Sequence, residues 1–184
     1  MLYFVVRGLS MKVILISGKA RSGKDYVAIL TKLRLEKIGH KVLIIHYADA
    51  LKTFCKEHLN WDGDKSTPEG REMLQNVGTE IVRNNYKDTW VDIVIALLRG
   101  FQSVYDYVII PDTRFKNEIN KPKKYFDCTT IRVCSSKINN LTKEQRRHSS
   151  ETDLDNYIFD FVLENNYDDA IEAEVDKVVK KIIR

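Results

Sequence analysis

Apolar positions recur along this chain with two periods, and the alternation between them predicts its layout. Val13 to Ile16 are four apolar residues in a row, the pattern of a strand buried on both faces. Val27, Leu30, Leu33, Leu35 and Ile38 then follow at helical spacing, closed by Gly39. A second apolar run, Lys41 to Tyr47, comes next. Strand, helix and strand within about 35 residues form a βαβ unit, whose strands lie parallel. His46, inside that run, reads as a satisfied core histidine. Asp49 is placed to cap a helix reaching about Leu59, and residues 60–70 are a polar loop rich in turn residues. A long helix is expected over Arg71 to Asn84, with Leu74, Val77, Ile81 and Val82 inward. Within it Gly78 marks a weak point or the close approach of a neighbour. Another helix begins near Lys87-Asp88-Thr89-Trp90, and its Val91, Ile93, Val94, Ile95, Leu97 and Leu98 read as buried nearly all round.

The second half continues the alternation. Tyr107 to Asp112 and Phe126 to Cys134 read as strands, as does the run from Ile158 to Leu163. Ile171, Val175, Val178, Val179 and Ile182 close the chain with a helix, acidic at its start and basic at its end. The expectation is a three-layer α/β/α fold around a mostly parallel sheet of about five strands. Residues 1–10 read as an N-terminal extension, and residues 11–184 as one domain.

Composition changes this picture little. The 184 residues suffice for one domain with a core, and 43% hydrophobic with 30% charged residues is ordinary for a soluble protein. The net charge of +4 is dispersed, which argues against nucleic acid as a partner. No apolar run approaches membrane-spanning length, and no signal-peptide pattern is present. Three cysteines without a C-x-x-C pair fit a reduced, cytoplasmic setting and read as packing residues rather than metal ligands.

Chemistry concentrates where the first strand meets the first helix. Gly18-Lys19-Ala20-Arg21-Ser22-Gly23-Lys24 has the G-x-x-x-x-G-K spacing of a phosphate-binding loop. Glycines permit positive φ and close backbone approach, loop N–H groups converge on phosphate oxygens, and the helix start adds its positive dipole end. Lys24 is placed to reach the terminal phosphates. Asp25 stands where a Ser or Thr usually helps to hold Mg²⁺. Asp112 ends an apolar strand, where open parallel sheets place their sites, and is the second candidate for contacting Mg²⁺. Thr113 follows it instead of the glutamate of many mechanical ATPases. A regulatory GTPase is disfavoured as well: no D-x-x-G occurs, and Asn120-Lys121-Pro122-Lys123 has lysine where an aspartate would read the base.

Phosphoryl transfer needs positive charge around the moving group. Arg146 and Arg147, in a polar stretch between two late strands, are candidates for an arginine-bearing lid over about residues 136–155. Arg71, Arg83 and Arg114 are further candidates. Arg71 and Arg83 would lie about 18 Å apart along one straight helix, too far to share a phosphate unless the helix breaks near Gly78. Together these features favour a small-molecule kinase.

Gly18 to Asp25, Tyr47-Ala-Asp-Ala-Leu-Lys52, Leu74 to Arg83 with Trp90, Asp112-Thr-Arg-Phe-Lys-Asn-Glu118 and Ser150-Glu-Thr-Asp-Leu154, in that order, resemble the deoxynucleoside monophosphate kinases of many bacteriophages. The likeness runs from about Met11 to the C-terminus, and Asp25 agrees with it. It implies transfer of the ATP γ-phosphoryl group, with Mg²⁺, to a deoxynucleoside monophosphate, by a monomer or homodimer. On this basis Gly18 to Asp25 hold the donor phosphates and Asn165 borders adenine. A helical region over about 49–100 supplies the acceptor side through Arg71, Gln75, Arg83 and Trp90. Asp112, Arg114 and Glu118 line the transfer centre, and Arg146, Arg147 and Glu151 belong to the lid. Animal-type phosphomevalonate kinases share a similar loop and an Asp-x-Arg segment and are the close rival. A nucleotide-binding regulatory protein without transfer activity is the alternative from another class.

Overall fold

The computed structural model describes residues 11–136 and 146–183. Strand β1 (Lys12–Ser17) lies at the centre of a five-stranded sheet with β2 (Val42–Ile44), β3 (Tyr107–Thr113), β4 (Asp127–Cys134) and β5 (Phe161–Glu164). The strand order is β2-β3-β1-β4-β5 and every pairing is parallel. Alternate side chains of β1 point to opposite faces. Ile14 and Ile16 join a core with helices α1 (Lys24–Lys37) and α7 (Ala170–Ile182). Val13 and Leu15 join another with α4 (Thr89–Phe101), Ile119 and Leu154. Helices on both faces explain why β1 is apolar at consecutive positions, and the three-layer α/β/α expectation holds.

The chain leaves β3 across β1 to reach β4. The C-terminal ends of β1 and β3 therefore feed loops that diverge, which opens a crevice between them. Pro111 sharpens that exit. The β1–β3 register shifts between Leu15 and Ser17, where β3 spends an extra residue beside a proline that cannot donate to the ladder.

Several elements depart from the periodic reading. Strand β2 ends at Ile44: Ile45 N still donates to Ile109 O at 3.1 Å, but beyond it His46 donates to Asp49 Oδ2, and Tyr47 and Ala48 donate to Asp112. Asp49 thus closes a turn, and α2 (Asp49–His58) has no side-chain cap. Strand β5 starts at Phe161, and Ile158 is 92% exposed, because Asp160 takes the N–H and hydroxyl of Thr130 and ends the pairing there. Leu33, Ile38, Ile81, Ile93 and Leu97 are exposed. Helices α1 and α4 each bury a stripe against the sheet, so α4 is apolar beyond the face it covers.

The expected helix over Arg71 to Asn84 is two windings in series. Helix α3 (Pro68–Gln75) starts with Pro68 and a Thr67 side chain that accepts from Gly70 N at 3.1 Å. It then passes into a π-helical run, Asn76–Arg83. A third core, Leu51, Cys55, Trp61, Val77 and Trp90, packs this region against α2 and α4. All three cysteines are free thiols. No helix among the described residues is long and apolar enough to cross a membrane.

Candidate active site

The loop after β1 is a tight turn in which Ser22 N donates to Lys19 O at 3.1 Å. Arg21 and Gly23 take left-handed conformations (φ 62° and 85°), and α1 begins at Lys24. Gly18 is required for space rather than for positive φ. A Cβ there would lie 2.3 Å from Ser22 Oγ and 2.6 Å from Val133 O. Gly23 is doubly constrained, since a Cβ would lie 2.0 Å from Asn165 Nδ2.

Two distant segments hold the loop. From the end of β5, Asn165 donates to Ser22 O at 3.0 Å and accepts from Tyr167 N, and Tyr167 Oη donates to Arg21 O. Asn165 is 2% exposed, and its amide is committed to the loop backbone. From the other side comes α6 (Ser149–Thr152) and the residues after it. Glu151 Oε2 accepts from Ala20 N at 3.0 Å, and Asp155 pairs with Lys19 at 3.0 Å and with Arg132 at 3.1 Å.

A cleft of about 470 Å³ opens from this loop. Its loop end is lined by Ala20, Arg21, Lys24 and Asp25, its middle by Asp112, Arg114 and Glu151, and its far wall by Arg71, Gln75, Arg83 and Trp90. The size suits a small ligand. Lys24 is buried, and its ammonium is depressed to about 8, first by burial and then by the charge of Arg114, against the pull of Asp25, Glu151 and Asp112.

Asp112 spends one oxygen on Tyr47 N (2.9 Å) and the other on Ala48 N (3.0 Å), which pins the loop after β2 to the end of β3. It still lines the cleft. His46 lines it too, half-buried and 3.4 Å from Asp49, which corrects the core-histidine reading. Among the described residues, no group of three or more His, Cys, Asp or Glu converges as a metal cage. Asp25 and Asp112 are both within the cleft lining.

Arg71 and Arg83 lie on one α-to-π winding with no break between them. An α-helix advances about 100° per residue, so Arg83 would lie about 120° round from Arg71. The wider i→i+5 turn takes up that angle. Arg71, Gln75, Thr79 and Arg83 consequently line the same cleft. At Gly78 a Cβ would meet Leu51 Cδ2 at 2.6 Å, and Gly78 O accepts from Trp90 Nε1 at 3.0 Å, so the close approach expected there is with α2 and α4.

Arg83 is held by Glu118 at 2.6 Å and Asn117 at 3.2 Å, and its guanidinium lies 3.8 Å from the Phe115 ring centroid. Its Nε is buried without a hydrogen-bond partner among the described residues. Glu118 is 2% exposed and also accepts from Arg114 N and Phe115 N, so it shapes the turn after β3 and aims Arg83. Burial pushes its carboxyl up to about 7, against the opposing charge of Arg83 and the two N–H donors. Arg114 donates to Ser150 O at 3.2 Å and pairs with Glu151.

Arg146 and Arg147 are exposed and do not line the cleft. Residues 137–145 of the expected lid lie outside the described residues, as do residues 1–10. Sequence reasoning missed Phe115, Thr79, Lys65 and Lys52 at the cleft, and the Lys19–Asp155–Arg132 cluster behind the loop. Lys19, Lys52, Thr79 and Phe115 carried a signal, since each lies inside a quoted motif, whereas Lys65, Arg132 and Asp155 lie outside them.

By overall shape the chain is similar to Mycobacterium tuberculosis APS kinase CysC. One structure of a cysteine-to-alanine mutant and another in complex with AMPPNP and APS each align over 95% of this chain and 99% of theirs, at 14% identity and TM-score 0.51. A further structure, titled APE1195, aligns at 17% identity over 96% and 98% of the two chains, with TM-score 0.52. At such identities the likeness shows the fold, that of P-loop kinases. No curated protein matches the sequence. The family model "Deoxynucleotide monophosphate kinase" matches residues 46–178, from just after β2 into the last helix and so through both the cleft wall that bears Arg71 and Arg83 and the Arg114 turn. The chain thus belongs to the deoxynucleotide monophosphate kinase family.

Proposed function

We propose that this protein transfers the γ-phosphoryl group of ATP to a deoxynucleoside monophosphate, giving ADP and a deoxynucleoside diphosphate. One observation carries the reading: a single cleft runs from Lys24 and the phosphate-binding loop, past Arg114, to a wall bearing Arg71 and Arg83 beside Trp90 and Phe115. An anionic donor fits one end. An anion attached to a flat apolar group fits the other, since the arginines provide charge and the aromatic side chains a stacking surface.

The acceptor phosphate oxygen is already a nucleophile near neutral pH, so the protein's task is positioning and charge. Lys24 and the phosphate-binding loop hold the donor phosphates, Arg114 faces the charge that develops between the two substrates, and Arg83 holds the acceptor phosphate, with Arg71 on the same wall. Asp25 and Asp112 are the carboxylates able to share Mg²⁺ with phosphate oxygens and water, an arrangement normal for an ion that keeps most of its hydration. When bound, Mg²⁺ would add charge neutralisation at the donor phosphates. We place the enzyme in the cytoplasm.

A coupled ADP-release assay against dAMP, dGMP, dCMP, dTMP, the ribonucleotides and phosphomevalonate tests the reading. ADP release that requires a deoxynucleoside monophosphate is the expected result. Turnover with phosphomevalonate and with no deoxynucleotide would defeat it, and ATP binding without any acceptor-dependent release would leave a nucleotide-binding regulator.

A further inference from the structure

We infer that Glu151 is a positioning residue that fixes Arg114 and the phosphate-binding loop relative to each other. The inference rests on the kinase reading for its functional consequence, and on geometry for its existence. Glu151 is 8% exposed, and both its oxygens are spoken for: Oε1 by Arg114 Nη1 and Oε2 by Ala20 N at 3.0 Å. One carboxylate therefore spans the turn after β3 and the loop after β1, the two lips of the crevice. Nη1 of Arg114 has a second grip from Ser150 O at 3.2 Å, on the same short helix. Among the described residues Nε and Nη2 of Arg114 have no protein acceptor and keep their protons for a ligand.

The helix that carries Glu151 is itself tied down on three sides. Asp153 accepts from Lys116 N at 2.7 Å, and Asp155 holds Lys19 of the loop at 3.0 Å. His148 Nδ1 accepts from Ser150 N at 3.2 Å, and its Nε2 lies 3.7 Å from Glu80 on the π-helical run. Glu151 thus works from a rigid mount. A long arginine side chain held at one nitrogen by a fixed carboxylate is pre-set for a charge that develops at one point, and small displacements of such a group cost rate heavily. The same negative charge offsets the effect of Arg114 on the buried Lys24, which is reflected in its upward pull on the Lys24 ammonium.

The test is a double-mutant cycle of Glu151→Gln and Arg114→Ala, read as kcat and KM with the best acceptor. Glutamine still accepts from Ala20 N but no longer pairs with the guanidinium. Glu151→Gln should lower kcat about tenfold or more with KM for ATP within about threefold, and should lower it less than about twofold when Arg114 is already alanine. Two distinct Nη signals of Arg114 by NMR should merge in Glu151→Gln as the guanidinium gains rotation. Additive losses, or Nη signals that stay resolved in the variant, would overturn the inference. Should Glu151→Gln not fold, Glu151→Asp takes its place under the same criteria. If the wild-type protein uses no deoxynucleotide, the function reading falls while the Nη criterion still decides the role of Glu151.

Discussion

The two ends of the cleft solve opposite problems. On the proposed reading, the donor end binds through the phosphate-binding loop and Lys24. Its loop is a contiguous motif, and the surrounding protein only holds it, through Asn165 and Tyr167 on one side and Glu151 and Asp155 on the other. The acceptor end binds with side chains spread along more than a dozen residues, and their common direction depends on how the helix is wound. Substitutions at the donor end should therefore act on ATP and on rate, and those at the acceptor wall should act on the monophosphate alone.

The largest effect expected is at Lys24. Lys24→Ala should cut turnover by about a hundredfold or more while circular dichroism and melting stay near wild type, because it removes charge from the transferred group and little packing. Near-normal turnover would break the assignment of the donor end. Arg83→Ala should come next, raising KM for the monophosphate by about ten- to a hundredfold and leaving KM for ATP unchanged. It should also cost about 3 kcal/mol of folding stability, since Glu118 is left buried without its partner. Equal changes in both KM values would show that the two ends are not separate.

The pH dependence should separate the ends by a smaller factor. Burial depresses the Lys24 ammonium to about 8, so ATP affinity should fall as pH rises through that value. Monophosphate affinity should not follow it between pH 8 and 9, above the Glu118 transition at about 7, and Lys24→Arg should flatten the ATP curve because arginine stays charged. The same group acts on folding with the other sign. The unfolded lysine holds its proton to 10.5, so its contribution to stability grows as pH rises from about 8 to 10.5. The smallest effect is expected at Gly78. Gly78→Ala meets only the end of the Leu51 side chain, which can yield. A loss of about 1 kcal/mol and a severalfold rise in KM for the monophosphate are expected, with ATP untouched. A change in ATP affinity there would join what the cleft keeps apart.

The sequence by itself determined what is local. Four consecutive apolar residues from Val13 to Ile16 required a strand covered on both faces, and Gly23 followed by Lys24 required a left-handed turn into a helix start. The ordered motifs also carried the family, because they fall on the turns that the strand order brings to one crevice. Tertiary structure decided the partners. Asn165 and Glu151 look alike as polar residues near a site, yet burial commits one to Ser22 O and the other to Ala20 N and Arg114. The direction of Arg83 also lay beyond the sequence. Helical periodicity assumes one winding, and the π turn that brings Arg83 round to Arg71 lies in a stretch packed against Leu51 and Trp90, residues distant in the chain. Hydrophobic spacing records which face is buried, but it does not record how many residues the backbone winds into a turn once that face is packed.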